Sequence, residues 1–205
     1  MEMNRAMARL LGRVDMEGIG PDEVPAGFVR IVEGGWEVTS RGAHVLSALK
    51  SAPPGPFSDV VHEEYTVNGR GLTDYGLPAS GEERESRLLR RCVAYASSCL
   101  LRADELDSTV EVSAFISLSY GGLADDHLTA NVTFCGDHPG VHPYAADLEA
   151  FATESLLRSG ARASRRGAFA STSRKGPATA GEPSRWPPPA PLFGSPPLHT
   201  AAPAP

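Results

Sequence analysis

The composition of the chain changes abruptly near residue 158, and this break most limits what can fold. Ten of the 18 prolines lie in the last 30 residues. Over residues 1–158 there are 13 basic and 24 acidic side chains, a net charge of −11; residues 159–205 carry six basic groups and one acid, net +5. Hydrophobic periodicity stops at the same point. A stretch so rich in Pro, Ala, Gly and Arg cannot bury enough apolar surface to offset the entropy of ordering it. The expected folded protein is therefore about the first 158 residues, with a disordered, Arg/Pro-rich tail at 159–205.

Within the folded part, the patterns alternate between helix and strand periods. Met3, Met7, Leu10, Leu11 and Val14 predict an amphipathic helix over 3–14. Residues 28–39 predict a hairpin turning at Gly34-Gly35, followed by a helix capped by Thr39 or Ser40 and running to Lys50. Pro53, Pro54 and Pro56 mark a linker at 51–57, and Val61, Glu63, Tyr65 and Val67 alternate as a strand would over 59–67. The clearest helix is 81–103, with Leu88, Cys92, Tyr95 and Cys99 on one stripe and a Ser80/Glu83 capping box. Strict alternation over 110–119 and 128–135 predicts an antiparallel pair. Tyr144, Leu148, Phe151 and Ser155 predict a last helix from Pro143 to Arg158. The resulting class is α+β, a small antiparallel sheet with helices packed on one face. Its expected organisation is a helix-hairpin-helix unit at 1–50, the linker, and an α+β domain at 58–158.

The stretch FVRIVEGGWEVTSRGAHVLSALK, residues 28–50, with Thr39 to Gly42 as a T-x-x-G element, resembles the wing and last helix of a winged-helix domain. The resemblance covers 23 residues. It implies a DNA-binding regulator, or a wing used for protein contact. Only 27 residues precede it, and residues 1–50 carry six basic and seven acidic groups with no basic stripe, so protein contact is the better expectation.

Chemistry-bearing residues concentrate in TFCGDHPGVHPY. Cys135, Asp137, His138 and His142 include the three common zinc-ligand types, and the same loop offers a Cys-His pair for nucleophilic catalysis. The spacing matches no established zinc pattern, and Pro139 and Pro143 account for the segment equally well as a turn. Asp125, Asp126 and His127 precede a strand of eight residues, about 27 Å long, and so belong to its opposite end. Arg84, Arg87, Arg90 and Arg91 make a basic strip whose neighbouring glutamates predict a solvated, ion-paired face. Cys92, Cys99 and Cys135 are an odd set without C-x-x-C spacing, which is not a disulfide framework. No phosphate loop, metalloprotease helix or nucleophile elbow is present. No apolar run is long enough to span a membrane, and the charged first 20 residues leave no signal-peptide stretch, which predicts a cytoplasmic location.

The leading expectation is a non-catalytic interaction or accessory protein with a protein partner. An acidic body repels phosphate backbones, which argues against nucleic acid as a partner, and no membrane partner is expected. Phe115, on an otherwise polar strand face, and Trp36 are the expected contact residues. The alternatives are an enzyme or zinc protein built on the 135–142 loop, and a winged-helix regulator.

Overall fold

The alternation over 110–119 and 128–135 builds the centre of the molecule. In a computed structural model, which describes residues 1–50, 55–72, 74, 76–120, 128–151 and 153–160, strands β5 (Val112–Tyr120) and β6 (Leu128–Gly136) pair antiparallel from Val112↔Gly136 to Tyr120↔Leu128. The other elements, in chain order, are β1 (Glu2–Met3), α1 (Arg5–Leu11), α2 (Ala26–Gly34), β2 (Trp36–Val38), β3 (His44–Leu46), α3 (Val60–Asn68), β4 (Arg70–Leu72), α4 (Glu82–Ala103) and β7 (Ser155–Gly160). The main sheet has the order β1-β7-β5-β6-β4, all antiparallel, and β2-β3 form a separate two-stranded sheet. The α+β class stands.

Successive side chains of β5 and β6 point to opposite faces. On one face Ala114, Ile116, Leu118, Ala130, Val132, Phe134 and Leu157 meet the apolar stripe of α4, with α1 and α2 alongside. On the other, Phe115, Cys135 and Leu156 form a smaller cluster with Val61 of α3 and Ala145. Residues 1–50 do not stand apart as a unit. β1 pairs with β7, and Met7, Leu10, Val24 and Leu46 share the large core with α4. Of the expected linker, residues 51–54 lie outside the described residues. Strand β7 continues to Gly160, two residues past the expected tail boundary, and 161–205 lie outside the described residues.

Four expected elements take a different form. Residues 26–34 are helix, not strand. Phe28, Val29, Ile31 and Val32 pack on the core at helical spacing, and Gly35, at φ +63°, ends the helix by donating its N–H to the Val32 carbonyl. The hairpin comes one element later. Thr39 N–H donates to the Ala43 carbonyl (2.8 Å), Gly42 (φ +86°) donates back to the Thr39 carbonyl (2.9 Å), and Thr39 Oγ1 accepts from the Ala43 N–H. The T-x-x-G element thus closes β2-β3 rather than opening a helix, and Ser47–Leu49 form only a 3-10 turn.

Residues 60–68 are helix α3 instead of a strand, capped by Asp59, whose side chain accepts from the His62 N–H at 2.8 Å. Residues 143–158 contain a 3-10 turn at Leu148–Ala150 and then β7, not a helix. Of the expected stripe, Leu148 and Phe151 pack on the smaller core, whereas Tyr144 is exposed and Ser155 begins β7, because the vacancy between β1 and β5 takes the chain as a strand. Finally, the cap position of α4 is Gly81, which has no side chain to offer, so Ser80 does not form the capping box.

The three thiols are free and buried. Burial pushes Cys92 and Cys99 up to about 12, and Cys135 is pushed higher by burial and by the neighbouring Glu64 carboxylate. A thiol held this way supplies almost no thiolate near neutral pH. Ellman's reagent at pH 8 should therefore leave the native protein unmodified and titrate all three cysteines once denaturant is added. Reaction of any one of them at the rate of an exposed cysteine would contradict this packing.

Candidate functional site

Helix α3 positions a dense polar cluster. Its inward side carries Val61, Glu64 and Asn68, and the two polar residues are completely buried. Strand β3 has β2 on one side only; its other backbone edge would be unpaired and buried, a costly arrangement. Glu64 and Asn68, one helical turn apart, take the place of the missing strand. Glu64 Oε1 accepts from the His44 N–H (2.7 Å) and Asn68 Oδ1 from the Leu46 N–H (2.9 Å). Asn68 Nδ2 donates to the carbonyls of His44 (2.9 Å) and Phe134 (3.0 Å), and Glu64 Oε2 accepts from the Gly136 N–H (2.7 Å). Two side chains of α3 thereby bolt β3 to the end of β6.

Two imidazoles converge on the same carboxylate. His138 Nε2 lies 2.8 Å from Glu64 Oε1, and His44 Nδ1 lies 3.4 Å from that oxygen. The other nitrogen of His44 is 2.8 Å from Ser108 Oγ. Burial pushes the Glu64 carboxyl up, but the His44 ring and peptide N–H, the Gly136 N–H and His138 outweigh it and hold the group below its ordinary value. The carboxylate is ionised and oriented, with the two rings 5.7 Å apart.

Of the four candidate residues in the 135–142 loop, only His138 enters this cluster. Cys135 is buried in the apolar group with Phe115, Leu156 and Val61 of α3, and its sulfur is not among the donor atoms that meet. Asp137 uses its backbone N–H to bond the Glu111 carbonyl (3.0 Å). His142 is exposed on its loop segment and places Nδ1 2.9 Å from the Pro143 carbonyl. Among the described residues, the histidine–carboxylate trio of His44, Glu64 and His138 is the only set of three or more His, Cys, Asp or Glu side chains whose donor atoms meet. His44 and Glu64 escaped the sequence reading because each sits in a segment assigned the wrong element. The i, i+3, i+7 spacing of Val61, Glu64 and Asn68 was the available signal. Asp125, Asp126 and His127 lie outside the described residues.

Of the arginine strip, Arg87 is solvated and paired with Glu83 at 2.6 Å as expected, but Arg84 is buried against Asp74 and Arg90 reaches Glu23 of another segment, so the strip is not wholly a solvated face. Trp36 points inward, donating from Nε1 to the Cys99 carbonyl (2.8 Å) and meeting the Phe134 ring edge-on. Phe115 is also covered, with 5% of its surface exposed, but it floors a second feature. On that face of the sheet a cleft of about 240 Å³ opens between α3 and the 144–156 segment, with Phe115, Ser117, Asn131 and Thr133 beneath it. Tyr65 and Tyr144 stand at its sides, 39% and 38% exposed, with ring centres 5.4 Å apart. Tyr144 meets Phe115 edge-on at 4.9 Å, and Tyr65 stacks on His62, which continues to Phe57. Gly71, in β4, reaches the cleft, and β4 ends the sheet with no strand beyond it among the described residues.

No protein-family model matches the chain, and no curated protein or solved structure does. No described helix is long and apolar enough to cross a membrane.

Proposed function

We propose that the protein is a non-catalytic accessory protein that binds an extended segment of a partner polypeptide at the tyrosine-flanked cleft. The observation that carries this reading is the exposed pair Tyr65 and Tyr144 above the Phe115 floor, beside a strand that ends the sheet. Tyrosine gives a large, stiff contact surface with a polar tip, which suits a surface that is wet when free and dry when bound. A segment adding to β4 would gain main-chain hydrogen bonds and could place an apolar side chain in the cleft. At 240 Å³ the cleft is small for a drug-sized ligand, for which about 300–1,000 Å³ is usual, and ample for one side chain. The net charge of −11 over residues 1–158 favours a basic partner.

Replacing both tyrosines with alanine should reduce partner recovery from chemically cross-linked cells at least about tenfold, since anchors of this kind carry roughly 2 kcal/mol each. Thermal melting of the double variant should stay close to that of the parent protein. Recovery at parental yield would remove the cleft from the interface.

A further inference from the structure

We infer that His44, Glu64 and His138 form a binding site for a divalent transition metal ion of the zinc class. The three residues come from β3, α3 and the loop after β6, far apart in sequence, and their donor atoms lie within 4.8 Å of one another. Two imidazoles and one carboxylate are a donor set for zinc and its neighbours, whereas calcium and magnesium take oxygen ligands.

A second, independent observation is the unsatisfied Nδ1 of His44. The residue is 2% exposed, and this nitrogen has no hydrogen-bond partner although it faces Glu64 Oε1 at 3.4 Å. With its proton on Nε2, toward Ser108, His44 aims a lone pair at a carboxylate. With the proton on Nδ1, the ring attracts the carboxylate but is too poorly aligned for a hydrogen bond. A cation between the two groups gives the orphaned nitrogen a partner and offsets the buried carboxylate charge.

The surroundings fit an ion. Glu64 is already oriented by the N–H groups of His44 and Gly136, and His44 by Ser108, which is the kind of outer support that fixes metal ligands. At position 136 a Cβ would come within 2.8 Å of His138 Nε2 and 3.3 Å of Glu64 Oε1, so the glycine keeps this space clear. Ligands about 2.0–2.2 Å from a tetrahedral ion stand about 3.3 Å from one another. The His44–Glu64 spacing of 3.4 Å already meets this, while the His138–Glu64 spacing of 2.8 Å has to open by about 0.5 Å. The His138 side chain, 10% exposed, marks the side from which the ion enters and a water completes the shell. The bound ion would cross-link three segments, and its readout is stability as well as stoichiometry.

The full chain, stripped with chelator and dialysed, should bind one equivalent of zinc from zinc chloride in a calorimetric titration and melt at a higher temperature when loaded. Cobalt(II) should give visible d–d bands that zinc abolishes. His138→Gln, on a loop near the surface, should fold normally without metal yet lose at least about tenfold in zinc affinity. His142→Ala, a histidine four residues away but outside the cluster, should bind like the parent. Sub-stoichiometric zinc on the folded parent protein would overturn the site. So would zinc bound equally by the parent and His138→Gln, or binding lost in His142→Ala alone.

Discussion

Glu64→Ala is expected to destabilise the protein by about 3–5 kcal/mol in metal-free buffer, the largest effect of any single polar substitution. The change strands the buried N–H groups of His44 and Gly136, at about 1–3 kcal/mol each, and leaves a cavity between α3, β3 and β6. For a domain of this size the melting temperature should fall by roughly 10 °C. Glu64→Gln keeps one acceptor oxygen and should lose about half as much. An exposed acid elsewhere, Glu33, should be replaceable by alanine within about 0.5 kcal/mol. Urea unfolding of the three variants with chelator present measures all of these. A Glu64→Ala loss below about 1 kcal/mol would mean that water, not this carboxylate, serves those backbone groups.

Asn4→Ala should cost about 3 kcal/mol. Asn4 is buried, and its Oδ1 caps α1 by accepting from the Met7 N–H (3.0 Å) while also accepting from the Leu156 N–H (3.1 Å). Its Nδ2 donates to the carbonyls of Leu148, Phe151 and Glu154. One amide thus holds both the start of α1 and the segment that enters β7. The cap alone contributes about 1 kcal/mol and the buried partners the remainder. Thermal unfolding gives the total. Hydrogen exchange locates it: the Leu156 amide should exchange much faster in the variant, whereas Ile116, in the centre of β5, should change only through global stability. Unchanged protection at Leu156 would contradict this role.

These two residues also explain what the sequence conceals. Strands β5 and β6 and helix α4 were legible because apolar side chains supply their inward stripes, and the period can be read directly. Helix α3 was not, because its inward stripe is Val61, Glu64 and Asn68; with two polar members, the visible alternation of Val61, Tyr65 and Val67 imitates a strand. The segment 143–158 failed the other way. Its helix-like spacing is real, but Asn4 and the gap between β1 and β5 impose an irregular chain and a strand. At 28–46 the glycine pair suited a hairpin turn and a helix stop equally well, and Gly35 takes the second role. The site followed the same logic. His138 was visible as part of a suggestive loop, but its partners come from the two segments whose elements the sequence disguises. Cys135 lies next to Gly136 in that loop but is taken up by the apolar group of Val61, Phe115 and Leu156, so its sulfur does not join the donor atoms.

The binding role stands or falls on the tyrosine-flanked cleft, and site-specific photocross-linking reads it directly. A benzophenone amino acid placed in turn at Tyr65, Tyr144 and Leu101, an exposed residue of α4, is irradiated in the native cell and the adducts are mapped by mass spectrometry. The predicted result is one partner, attached through the same extended basic segment from positions 65 and 144 and absent from 101. Adducts equally abundant from all three positions, or none from the two at the cleft, would contradict it.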